Sequence, residues 1–298
     1  MRRGFAVAGL CAAIAACQGQ IKETSNDPVD IRALTWISAS TDPVQHLTRQ
    51  PESCLTEPND PAVRRGELLF NSPLLLGGQA AKAGLSCASC HRNGRGNPDF
   101  VFSGISGAPG TADVTSGLFS KVRADQVFNP VIIPDLALPE GQKNVDRARE
   151  GTLEIFLAAQ IVEEFSGEVP SSPIIADLAS YLRALDADAC DSDALKPQTW
   201  RDELGRLRAG GEYVSQPSAG SNVAYRSAMR TALGRLFERY PGREFDALRQ
   251  AMVSLSRELG QNDVPDDLMS RLDDLESALA AGESQSLYDP NQLELALR

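Results

Sequence analysis

The chain has 298 residues, 42% of them hydrophobic and 23% charged, enough apolar material for the core of one large or two ordinary domains. Asp and Glu number 40 against 29 Lys and Arg, and the net charge of -11 repels phosphate backbones, which argues against a nucleic-acid partner. After the first seventeen residues every apolar run is broken by charge, Pro or Gly before it reaches the roughly 20 residues that cross a bilayer, so the body of the protein reads as water-soluble.

Arg2 and Arg3 precede an apolar run from Phe5 to Ala16, the form of a secretory signal over residues 1–16. Its end, Ile14-Ala15-Ala16-Cys17, resembles a bacterial lipobox. That resemblance implies cleavage before Cys17, lipidation of its thiol and a periplasmic protein held to a membrane by acyl chains. Gln18 then implies the outer membrane of a Gram-negative cell. An ordinary signal cut near Ala16 stays open. Residues 17–59 read as an extension without chemistry of its own, in which Trp36 packs a short segment onto the next domain.

Asp60-Pro61 is an N-cap followed by Pro at the first helical position, and it opens an amphipathic helix over Ala62 to Phe70. Cys87-Ala88-Ser89-Cys90-His91 is C-x-x-C-H, the attachment signature of haem c. Two thiols at that spacing form thioethers to the haem vinyls, and the turn they force brings the His91 imidazole to the iron. A zinc site would want a second pair of ligands, and the other histidine is the lone His46. A thioredoxin-like centre would want a βαβ context, which the Gly-rich surroundings do not offer. Arg92, Asn93, Arg95 and, further on, Arg123 are the donors available to haem propionates, with Arg95 preferred. The extended stretch Asn129-Pro130-Val131-Ile132-Ile133-Pro134 is expected to wall the distal side. Ser171-Ser172-Pro173 begins a helix with Ile174, Ile175, Leu178, Tyr181, Leu182 and Leu185 on one stripe. Cys54 and Cys190 remain after the signal and the motif are counted. In an oxidising compartment they are expected to pair, and two buried thiols that never meet are the alternative.

Gly66-x-x-Leu69-Phe70 resembles the first helix of cytochrome c domains, and after the haem motif Gly110-Thr111-Ala112-Asp113-Val114-Thr115, Gly151-Thr152-Leu153-Glu154 and Leu178-x-x-Tyr181-Leu182 resemble, in order, elements of the bacterial di-haem cytochrome c peroxidase family. The resemblance covers about residues 60–190. It implies a cytochrome c-like domain whose first and last helices cross and brace a haem. That family pairs two haems, and this chain carries one C-x-x-C-H. The family's distal ligand turn holds Ala158, Ala159 and Gln160 here, which makes Gln160 one candidate for the sixth iron position. His46 is a second, and Met229, Met252 and Met269 are others; no Met lies between Met1 and Met229. An open iron is the remaining alternative.

Beyond 190 the composition shifts to helix formers, interrupted by a Gly/Ser/Pro linker at Gly210–Ser221. Helical patterns follow near Asn222–Tyr240, Arg243–Leu259 and Asp266–Ala281. The expectation is an all-α protein: signal 1–16, extension 17–59, cytochrome c-like haem domain 60–190 and helical C-terminal region 191–298. Its expected role is one-electron transfer to a periplasmic redox partner through a single covalent haem c. A peroxidase-like enzyme with an open iron and a haem-bearing accessory subunit of a redox complex are the alternatives.

Overall fold

The computed structural model describes residues 31–138, 145, 146, 149, 151–190, 194–216, 223–261 and 264–298. The signal, Cys17 and Gln18 lie outside the described residues. The fold is all-α. In chain order the elements are α1 (Pro43–Thr48), β1 (Arg49–Gln50), α2 (Pro61–Phe70), α3 (Gly78–Lys82), α4 (Cys87–Cys90), β2 (Thr111–Ala112), β3 (Val131–Ile132) and α5 (Thr152–Ala159). They continue with α6 (Ser172–Ala184), β4 (Lys196–Pro197), α7 (Trp200–Val214), α8 (Val223–Arg239), α9 (Asp246–Gly260), α10 (Leu268–Gly282) and α11 (Pro290–Ala296). The strands form two antiparallel pairs, β1 with β4 and β2 with β3.

The Asp60 carboxylate accepts from the Ala62 and Val63 amides at 2.8 and 3.0 Å, which satisfies two donors at the start of α2. This helix crosses α6 at Gly66. A Cβ there would stand 2.0 Å from the Asp177 carbonyl oxygen and 2.7 Å from Tyr181 Cβ, so the backbones meet at a distance that only glycine allows. Arg65 makes a bidentate pair to Asp177 at 2.7 and 2.8 Å, and the Tyr225 hydroxyl donates to the same carboxylate at 2.7 Å. Phe70 packs its ring 5.1 Å from Tyr181. Cys54 and Cys190, 136 residues apart, form a disulfide that ties the segment before α2 to the segment after α6.

The C-terminal helices share the core of α2 and α6. Leu68, Leu69 and Leu178 belong to one buried cluster with Leu207, Met229, Leu236, Met252, Leu272 and Leu279. Arg206 on α7 is buried between Glu67 of α2 and Glu203, at 3.0 Å from each. The expected linker at Gly210–Ser221 is corrected at its start: Gly210 and Gly211 lie inside α7, which runs to Val214, while residues 217–222 lie outside the described residues. Gly210 admits Leu68 and Met229 to within 2.7 Å of its missing Cβ, so these glycines are contact points between helices rather than flexible joints. The helices expected from 222 onward are present as α8, α9 and α10. Trp36 stacks on Phe102 with ring centroids 4.3 Å apart and donates to the Ala83 carbonyl, fixing the N-terminal segment beside the motif.

Candidate functional site

The motif begins at a capped helix start. Ser86 and Ser89 exchange backbone and side-chain bonds across the first turn, with the Ser86 amide donating to Ser89 Oγ at 3.0 Å. One turn of α4 separates Cys87 from Cys90, so both thiols share a face, and the His91 amide closes the turn on the Cys87 carbonyl at 2.8 Å. The His91 Nδ1 lies 3.0 Å from the Pro134 carbonyl oxygen. A carbonyl only accepts, so Nδ1 carries the proton and Nε2 is left as the lone-pair nitrogen, the form that binds a metal. Two anchors fix that carbonyl: Ile133 donates to the Gly110 carbonyl and Leu136 to that of Gly94, each at 3.0 Å. Gly94, at φ 74°, holds a left-handed turn under the Leu185 side chain and the Tyr181 hydroxyl.

Cys87 and Cys90 are free thiols; Cys87 borders both large apolar clusters and Cys90 the one around Phe100 and Ile105. Burial pushes each up to about 12, and the charge of Glu164 pushes the same way. Thiols held protonated at neutral pH are poor exchange nucleophiles, which weighs against a thioredoxin-like role. Among the described residues no group of three or more His, Cys, Asp and Glu gathers as a metal site.

The remaining predicted residues fall in different places. The Asn129–Pro134 stretch is extended at β3, but its end supports His91 from behind. Expected to wall the distal side of a haem, the stretch sets Pro134 against Nδ1 of the expected proximal ligand, His91. Arg95 pairs its Nε with Asp135 at 2.6 Å and sets Nη1 3.0 Å from the sulfur of Cys54, so it tethers the loop after the motif to the disulfide. Arg123 pairs with Glu163 and Glu164 at 3.1 and 3.3 Å. His46 is buried and donates Nδ1 to Asp99 at 3.0 Å, with burial and the nearby Arg92 lowering its pKa. Met229 and Met252 are buried in the shared core, and Met269 Sδ lies against Gly211 of α7. The methionines therefore pack helices together.

Gln160 begins a π turn, Gln160–Glu164, that continues α5, and its side chain hydrogen-bonds Glu164. Glu164 was not anticipated from the sequence, where it is one acid of a Glu163-Glu164 pair. It is only 4% exposed, and burial raises it to about 7 against the opposing pull of Arg123 and Gln160. A π turn is a rare deviation that recurs at functional sites, but no periodicity rule exposes it in a sequence.

No protein-family model, curated protein or solved structure matches this chain. The donor set can be weighed on its own chemistry. Two thiols on one face, a following imidazole with its outer nitrogen fixed as a donor, and apolar clusters on both sides fit a covalently held haem.

Proposed function

We propose that the chain is an exported mono-haem c-type cytochrome, anchored by lipid at Cys17, that transfers single electrons to a redox partner in the periplasm. The observation that carries the reading is the His91 Nδ1 to Pro134 carbonyl bond, because it selects the tautomer and fixes the ring plane of the proximal ligand. Cys87 and Cys90 would hold haem c through thioether bonds, and His91 would bind its iron. Bound there, the group supplies a one-electron couple. The protein's own part is to fix the imidazole, exclude water with the apolar clusters and brace the site with the α2–α6 crossing. Phe128, Ile132 and Ile155, in the segments that follow the motif, are 61%, 80% and 73% exposed and offer apolar surface of the kind a porphyrin covers. Replacing Cys87 or Cys90 by Ala should weaken haem staining on a denaturing gel, and the double variant should lose it. Full staining of the double variant would end the reading.

A second reading, a peroxidase-like enzyme, is favoured by Glu164. A buried carboxyl oriented by Arg123 and Gln160 can keep or give up a proton near neutral pH, which peroxide chemistry requires and simple relay does not. A ferric spectrum that is fully low-spin and indifferent to millimolar cyanide decides for relay; a high-spin, cyanide-binding iron decides for the enzyme.

A further inference from the structure

A cavity of about 210 Å³ lies against the other face of α4. Ser86, Ala88, Ser89 and Arg92 wall one side, and Arg235 and Arg239 of α8 wall the other. Cys87, Cys90 and His91 do not line it, so the cavity is a separate space from the face those three present.

Its charges do not cancel. Arg32 pairs with Glu238 at 3.2 Å, and Arg206 with Glu67 and Glu203. Arg235 reaches Glu203 at 3.5 Å and the Asn71 side chain at 2.7 Å, and Asp99, which accepts from His46, acts on Arg92 only through its charge and not as an ion pair. Arg92 and Arg239 are left over. Arg92 donates to the carbonyls of His46 and Arg49, and Arg239 to those of Leu47 and Leu287 and to Gln198 Oε1. Among the described residues neither makes an ion pair.

A guanidinium has five N–H donors, and these bonds spend at most three on either residue, so each keeps donors to offer. Both residues grip neighbouring carbonyls at the end of α1, which brings two positive charges together. The end of this short helix returns only a fraction of one negative charge. Consistent with that, both guanidiniums lower the pKa of His46, after burial and against the opposing pull of Asp99.

We propose that this cavity binds a small oxyanion, a carboxylate or a phosphate, on Arg92 and Arg239. In a protein of net charge -11, a pocket with two guanidiniums that make no ion pair among the described residues is a place where an anion gains charge-assisted, forked hydrogen bonds. The site does not depend on the haem reading.

The test is calorimetric titration of the full exported protein with inorganic phosphate and, separately, with succinate, at fixed ionic strength. The expected result is saturable one-to-one binding of at least one of them, with a melting temperature that rises with its concentration. Arg239→Gln should weaken that binding about tenfold or more. Because Arg239 is buried and its loss can impair folding, Thr231→Glu on the cavity wall is a second variant; it places a competing carboxylate in the space and should abolish binding. Phosphate binding alone would assign the occupant as a phosphate, and succinate binding alone as a carboxylate. Failure of both anions to saturate the unaltered protein, or unchanged binding in the folded variants, would overturn the proposal.

Discussion

Glu164 and His91 show how differently two residues announce themselves. The proposed role of His91 is written in four neighbours, because covalent haem attachment would fix the spacing of the thiols and the ligand. Glu164 depends on what is packed over it. Burial keeps its carboxyl protonated to about pH 7 in the folded state, whereas the unfolded chain releases the proton near 4.5. Between these values the folded state binds more protons, so the contribution of Glu164 to stability is fully present below about pH 4.5 and is lost as pH rises through 7. The loss is on the order of 3 kcal/mol at most, with the pairing to Arg123 already reflected in the folded-state value of about 7. Glu164→Gln should flatten this dependence, read as urea midpoints at pH 5 and pH 8. An unchanged difference between the two pH values would show that Glu164 is not the titrating group. Arg95, the expected propionate donor, shows the same dependence on surroundings: its Nε donates to Asp135 and its Nη1 to the Cys54 sulfur.

At the scale of elements, the chain advertises helix starts well and helix contacts poorly. Asp42-Pro43, Asp60-Pro61 and Asp289-Pro290 each begin a helix with the carboxylate accepting from the amides two and three residues on. The same pair of letters therefore signals α1 and α11 as clearly as α2. Glycines are ambiguous in a way that caps are not. Gly66 and Gly205 both sit inside helices, yet a Cβ at Gly66 strikes Asp177 and one at Gly205 meets nothing within 4 Å. Gly66→Ala should destabilise the protein by roughly 2–4 kcal/mol, since α2 and α6 must move apart. Gly205→Ala should stabilise it by about 0.5–1 kcal/mol through helix propensity. Paired denaturation curves check both, and equal effects of the two substitutions would refute the close crossing.

For the whole molecule, the C-terminal helices are structural partners of the motif-bearing part. Glu67 is buried against Arg206, Asp177 binds both Arg65 and Tyr225, and one apolar cluster runs from α2 through α10. Ending the chain after residue 191 would leave Glu67 with only the half-buried Arg64 in place of Arg206 and uncover Leu68, at a cost of several kcal/mol. The shortened protein should lose its cooperative thermal transition by circular dichroism; a transition with an unchanged midpoint would mean that the first part folds alone. Replacing Cys54 and Cys190 by Ser should cost roughly 4–5 kcal/mol on the chain-entropy account, because the bridge closes 136 residues, and urea denaturation measures it. Local chemistry sufficed for the motif, the helix starts and the all-α class, since thiol spacing, caps and apolar periodicity are satisfied within a few residues. The Pro134 carbonyl behind His91, the crossing at Gly66, the helical place of Gly210 and the burial of Glu164 and Arg206 were settled by packing between segments far apart in the chain. Burial, close approach and charge balance are properties of what surrounds a residue, and those surroundings exist once the helices have met.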